Sequence, residues 1–288
     1  MMGTSVRAGA VELDNELKYV SLGDSVAFGL SAPSQQGYAK MFNSYLNAVK
    51  KPGTTVSFED LGVSGYTTID LLRDVLSEGS LTLAALDGAD VVTINIGSNN
   101  LLSTMVGAVL TSYGYDLVGL DYDVMLQRMK VLLKEAKYDM TKMMAPYKAL
   151  AINVPLKEKL AGGVQLFKDN WTPIIVAIKD KVPNAKIIVN RLYNPLAKDD
   201  PLYELTKTYI QQINAEIDLN VTLGYKVADV YNAIRQYDST RLAVPFSMKN
   251  AIMAAMLSNK TLFMLSLDPH PTLFGHTLIF KQILNKYR

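Results

Sequence analysis

In the first half of the chain, short apolar runs rich in β-branched residues alternate with stretches whose apolar residues recur every three or four positions. Parallel strands need a long crossover between them, and a helix is its usual form. The alternation therefore predicts an α/β chain with a central parallel sheet of about five strands and helices on its faces. The expected strands are Lys18–Leu22, Val56–Leu61, Asp90–Ile96, Lys186–Asn190 and Lys226–Val230.

The intervening stretches carry helical signals. Tyr38, Met41, Phe42, Tyr45, Leu46 and Val49 form one apolar stripe. Thr67 and Asp70 have the spacing of a capping box, followed by Ile69, Leu71, Leu72, Val75 and Leu76 as a buried side. Gly62 and Gly65 precede that helix, where the chain must turn sharply. The span Leu101–Ile178 interrupts the alternation and reads as a helical insertion. It holds one amphipathic helix or two, with Tyr122, Met125, Met129, Leu132, Ala136, Met140, Met143 and Tyr147 on the apolar face and lysines between them. A second helical patch over residues 244–260 runs through Met248, Ile252, Met253, Met256 and Leu257. No repeat or linker marks a boundary, so residues 16–288 are expected to form one domain. Residues 1–15 are expected to be a disordered leader remnant, since they lack the apolar core of a signal peptide.

Composition removes several classes of function. A formal net charge of +2 and the lack of a basic cluster with interleaved aromatics argue against nucleic acid as a partner. The absence of cysteine excludes disulfides, thiolate metal sites and a thiol nucleophile, and is compatible with export as well as with the cytosol. No apolar run approaches the roughly 18 residues of a membrane span.

The chain has only two histidines, His270 and His276. A serine hydroxyl is a poor nucleophile until an adjacent base takes its proton, and an imidazole does this well near neutral pH. Ser25, in Gly23-Asp24-Ser25, stands at the carboxyl end of the first expected strand, the rim where parallel sheets bind ligands. Gly65 follows the second strand, Gly97-Ser98-Asn99-Asn100 the third, and Asp268-Pro269-His270 approaches from the C-terminal side. Ester hydrolysis also needs donors aimed at the developing oxyanion, each worth roughly 3–4 kcal/mol. The Gly65 amide and the Asn99 side chain are suitable.

The segments YVSLGDSVAFG, LGVSGYTTIDLL, VVTINIGSNNLL and LDPHPTLFGH resemble, in order, the four sequence blocks of the SGNH (GDSL) hydrolases. The resemblance extends to AKIIVNRLYNPL and covers most of the chain from Lys18 onward. It implies a flavodoxin-like three-layer sandwich and hydrolysis of acyl esters through an acyl-enzyme. It implies Ser25 as nucleophile, His270 as general base and Asp268 as the group that orients His270. It further implies an oxyanion hole of the Ser25 amide, the Gly65 amide and the Asn99 side chain, with no metal or organic cofactor. Two positions depart from the family pattern. Asn100 stands where an aspartate is common, and Leu267 occupies the usual aspartate position, leaving Asp268 one residue closer to His270. A backbone carbonyl is the alternative partner for the imidazole.

Against these readings stand plainer ones. Asp24 is read as a turn residue, and His276, on a stripe with Leu273, Thr277, Phe280 and Leu284, as a packed core histidine. The methionine stripe reads first as core packing, with a lid or acyl-chain surface as its functional alternative. Asp116, Asp121 and Asp123 lack the spacing of a calcium loop and read as solvated or helix-capping. The expected protein is a monomeric esterase or lipase acting on a small-molecule ester. The alternatives are a carbohydrate-ester deacetylase, an acyltransferase, or a non-catalytic binding protein of the same fold, with membrane contact through the insertion as a further possibility.

Overall fold

The structure is a computed structural model that describes residues 15–115 and 121–288. Five strands, β1 (Asn15–Gly23), β2 (Thr54–Gly62), β3 (Val91–Asn95), β4 (Lys186–Asn190) and β5 (Tyr225–Ala228), form one parallel sheet in the order β2-β1-β3-β4-β5. This is the doubly wound flavodoxin-like order, whose switch point lies between β1 and β3. The helices described are α1 (Ser25–Phe28), α2 (Tyr38–Val49), α3 (Thr68–Leu76), α4 (Leu81–Leu86), α5 (Asn99–Ser112), α6 (Tyr122–Glu135) and α7 (Met140–Ala149). They continue with α8 (Val154–Lys181), α9 (Tyr203–Leu219), α10 (Val230–Arg235), α11 (Met248–Met256), α12 (Lys260–Ser266) and α13 (Leu273–Tyr287).

Side chains alternate across the sheet, as the period of two requires. Tyr19, Val91 and Ile188 face a layer built by α2, α10 and α13. Val20, Leu22, Val92, Ile94, Ile187 and Val189 face the layer of α3, α4, α8 and α9. Every residue of β3 is buried, as befits a strand covered on both sides.

The ends of the expected strands lie within three residues of the observed ones, and β4 coincides with its expected bounds. β1 starts earlier than expected, and β5 ends at Ala228 because Asp229 caps α10, accepting from the Asn232 amide. The leader expected over residues 1–15 falls outside the described residues except for Asn15, which opens β1.

Several expected buried positions are corrected. Val49, Ile69 and Leu76 are exposed, because each lies at or beside a helix end, off the face that meets the sheet. In α11 the buried face is Met248, Ala251, Ile252, Ala254 and Ala255, while Met253, Met256 and Leu257 face out: small alanines let α11 pack closely against α12. In α13 the buried face is Gly275, His276, Leu278, Ile279 and Ile283, leaving Leu273 exposed. The methionine stripe divides into two helices, α6 and α7, separated by Lys137 and Tyr138 with φ of 53° and 56°.

The span 101–178 is not one insertion. Its last part, α8, is the crossover helix between β3 and β4 and covers the sheet with Phe167, Trp171, Ile174, Ile175 and Ile178 buried. Its stripe is diluted in sequence by Gly162, Gly163 and Pro173, which disguises it. Gly163 has a packing reason: a Cβ there would stand 2.0 Å from the Asn100 carbonyl oxygen, so α8 can cross the start of α5 only with glycine at the contact. The chain inserted ahead of α8 is therefore α5–α7, which packs with α11 and α12 beside the carboxyl ends of the strands.

Candidate active site

Gly23 ends β1 with φ 141°, and a Cβ there would lie 1.9 Å from the Asn95 carbonyl oxygen of the neighbouring strand. Only glycine lets the chain leave β1 this close to β3. The next residue, Asp24, donates its amide to that same carbonyl (2.9 Å) and caps α1 by accepting from the Val26 amide (3.0 Å). Ser25 is thereby set as the first residue of α1, 5 % exposed, where a helical amide has no partner within its own helix.

His270 Nε2 lies 2.9 Å from Ser25 Oγ, across 245 positions of chain. On its other side, His270 Nδ1 lies 2.6 Å from Asp268 Oδ1. The same Oδ1 accepts the His270 backbone amide (2.9 Å), and Oδ2 accepts the Ser31 hydroxyl (2.5 Å). Burial raises the Asp268 pKa, but the hydrogen bonds from the His270 ring, Ser31 and the His270 amide outweigh it and hold the carboxyl below its usual range. An ionised carboxylate at Nδ1 requires the ring proton there, which leaves the Nε2 lone pair facing the serine hydroxyl. The geometry suits proton abstraction from Ser25. The loop is pinned from behind by Tyr193, whose hydroxyl donates to the Pro269 carbonyl (2.9 Å).

Asn99 opens α5 and donates from Nδ2 to the Tyr66 carbonyl (2.9 Å). Because that partner can only accept, the amide orientation is fixed, and its second N–H remains available. Gly65 stands in the exposed turn after β2 with φ 85°. That turn is tied to the serine loop by the Val63 amide donating to the Gly23 carbonyl (3.0 Å). Asn100 accepts from the Thr68 amide (3.2 Å) and donates to Thr68 Oγ1 (2.9 Å), fixing the start of α5 to the start of α3.

The structure thus joins Ser25, His270 and Asp268 in one hydrogen-bonded line and sets Asn99 on the wall of the cavity that Ser25 and His270 also line. Gly65 does not line that cavity; it sits next to the residue Asn99 holds. Ser31 escapes sequence reading: its φ of 65° and its partner far along the chain leave no local signal.

Asp24 lies beneath the serine, fully buried. Its Oδ1 also accepts from Asn95 Nδ2 (3.1 Å), Oδ2 has no partner, and burial pushes its pKa up to about 6. His276 is buried too. Its Nδ1 accepts from the Tyr38 amide (3.3 Å) while Nε2 faces the Leu30 carbonyl (3.4 Å), and burial lowers its pKa to about 4. It packs behind the loop that carries Ser31 and touches no reacting group. Asp121 caps α6 and Asp123 pairs with Lys260 (2.6 Å), while Asp116 lies outside the described residues.

A cavity of about 200 Å³ opens beside Ser25 and His270. Its walls come from α5, α6, α7, α9, α11 and α12 and the loops after β4 and before α13, and are largely aliphatic, aromatic and methionine side chains.

The model of the GDSL-like Lipase/Acylhydrolase family matches residues 21–276. Among solved structures, a lipase from a goat rumen metagenome superposes with TM-score 0.57 at 16 % identity, covering 94 % of this chain and 97 % of its own. Phospholipase A1 from Streptomyces albidoflavus gives 0.53 at 16 %, covering 94 % and 99 %. An extracellular lipase from Streptomyces rimosus gives 0.50 at 21 %, covering 94 % and 100 %. At such identities the likeness is one of fold. No curated protein sequence matches the chain.

Proposed function

The chain belongs to the GDSL-like lipase/acylhydrolase family and is a carboxylic ester hydrolase of α/β fold, and from that premise we propose which of its residues carry the reaction. Ser25 Oγ attacks the ester carbonyl carbon while His270 Nε2 takes its proton. Asp268 holds the imidazole in the required tautomer and faces the charge that forms on it. The tetrahedral oxygen is received by the Ser25 and Gly65 amides and the free N–H of Asn99. Collapse of this intermediate breaks the bond to the alcohol, which leaves with the proton from His270. Water then attacks the acyl-serine with His270 again as base, releasing the acid and restoring Ser25.

The observation that carries this reading is the single line from Asp268 through His270 to Ser25, with contacts of 2.6 and 2.9 Å. All the groups belong to one chain and one domain running from β1 to α13, so a monomer suffices. The test is hydrolysis of p-nitrophenyl esters beside labelling by an alkyl phosphonate. Native protein should turn over and be labelled at Ser25, and Ser25→Ala should do neither. Turnover that survives Ser25→Ala sinks the assignment.

A further inference from the structure

We infer that the cavity beside Ser25 is a channel for the acyl chain of the substrate, sized for medium-length acids of roughly six to twelve carbons; this rests on the reading of Ser25 as the acylated residue.

The channel is organised by one helix. Asn99, Leu102, Met105 and Val109 all line the cavity, and their steps of three and four place them on one face of α5, which Leu110 and Tyr113 at its C-terminal end extend. Asn99, the oxyanion donor, stands at the start of that face. At about 1.5 Å per residue, Leu110 lies some 16 Å farther along. The cavity therefore extends away from the reacting carbonyl in the direction an acyl tail would take.

Its polarity is graded in the same direction. The hydroxyls on the walls are turned to protein acceptors: Tyr113 to the Met143 carbonyl (2.6 Å), Tyr115 to the Met125 carbonyl, Tyr147 to Asp200 (3.0 Å) and Thr206 to the Leu202 carbonyl (2.9 Å). Tyr122, whose hydroxyl has no protein partner among the described residues, lines the cavity close enough to Asp268 to feel its charge, at the catalytic end. A sugar ring placed in the channel would lose its water and find almost no partners, at a penalty for each unpaired hydroxyl. A hydrocarbon tail loses nothing. Methionines on the wall, among them Met105 and Met129, adapt their shape to such a tail.

Size sets the length. A dry cavity of about 150 Å³ holds one benzene ring, so the channel's volume of about 200 Å³ corresponds to roughly eight carbons. The reach along α5 sets the upper end of the range.

The experiment is a series of p-nitrophenyl esters from acetate to palmitate, with phosphonate labelling of Ser25 run on the same samples. The native enzyme should show kcat/KM at least tenfold higher for octanoate than for acetate or palmitate. Met105→Trp, which obstructs the channel about halfway along, should lower the octanoate-to-acetate ratio at least tenfold. Leu110→Ala, which lengthens the far end, should move the optimum toward longer chains and tests the channel by itself if the tryptophan variant does not fold. A flat native profile, or variants that scale all esters equally, overturns the channel while Ser25 labelling leaves the serine hydrolase standing. Absence of labelling overturns both.

Discussion

Ser31 Oγ donates to Asp268 Oδ2 at 2.5 Å from a backbone held in the left-handed region at φ 65°. The other oxygen of Asp268 accepts both the amide and the ring of His270. Accepting an amide two residues on curls the loop into an Asx turn, and that turn brings the ring back onto the same oxygen. This is how an aspartate only two positions before the histidine reaches the imidazole. Non-glycine residues rarely adopt the conformation of Ser31, and such strain collects where a side chain must be aimed.

Ser31→Ala and Ser31→Gly both remove the hydroxyl, but glycine also relieves the backbone. If the hydrogen bond positions Asp268, both variants should lose about three- to tenfold in kcat with KM little changed. Recovery in Ser31→Gly alone would assign the effect to the backbone. Asp268→Asn should be more severe, on the order of 10²- to 10⁴-fold in kcat, because it favours the wrong imidazole tautomer.

Asn99→Ala should lower kcat by about 10²- to 10³-fold, the usual effect of deleting one oxyanion donor. Asn99→Asp should do no better, since it sets a carboxylate oxygen against the Tyr66 carbonyl that Nδ2 now faces. Steady-state kinetics on one ester decides this, and a change confined to KM would remove Asn99 from the oxyanion hole.

Asp24→Asn should stabilise the fold by removing a buried charge. The carboxyl's pKa rises from an ordinary 3.8 to about 6 in the folded protein, chiefly through burial. Between those values the folded state binds more protons than the unfolded, so stability falls as pH rises through the window. The full penalty above pH 6 is roughly 3 kcal/mol. The asparagine variant should be about 1–2 kcal/mol more stable than native at pH 8, after the unpaired N–H it introduces, and lose that advantage at pH 4. Urea unfolding at both pH values measures it; a variant weaker at both would refute the buried-charge account.

His276 acts with the opposite sign. Its pKa falls from 6.5 to about 4 on folding, so the unfolded state binds more protons between those values. Its contribution is present above pH 6.5 and is lost as pH falls toward 4, roughly 3 kcal/mol in all. Asp24 and Asp200, both pushed up to about 6, titrate the other way over much of this range. The comparison must therefore be between native and His276→Gln. Between pH 7 and pH 4.5 the native protein should lose about 2 kcal/mol more stability than the variant.

Trp171 is fully buried, stacks on Phe167 and donates to the Tyr225 hydroxyl (3.1 Å). Trp171→Ala should cost about 3–5 kcal/mol, read as a lower urea midpoint.

The sheet was legible because its strands carry short stretches rich in β-branched and apolar residues, near-continuous in β3 and β4 and interrupted by polar residues in β1 and β2, and the rim because Ser25, Gly65, Asn99 and His270 all fall just beyond or near such stretches. The buried faces of α2 and α3 were less so. Val49, Ile69 and Leu76 satisfy a helical period yet lie past the edge of the sheet, and period alone cannot say where a neighbouring layer stops. α8 was hidden by two glycines and a proline whose reasons are tertiary, as the Gly163 contact with Asn100 demonstrates. Ser31 was unreadable for a related reason: its partner follows 237 residues later. The turn joining Asp268 to His270 could not be read from spacing either, since it depends on which carboxylate oxygen the backbone takes.

The order of these parts along the chain also governs when the chemistry becomes possible. Ser25, Gly65 and Asn99 precede β4 and β5, whereas Asp268 and His270 follow every strand. A chain emerging from the ribosome has all five strands before it has a base. On the proposed assignment, the nucleophile and its oxyanion donors are made early and stay without a base through most of synthesis, and the catalytic line can close only when the segment ahead of α13 docks on the finished sheet.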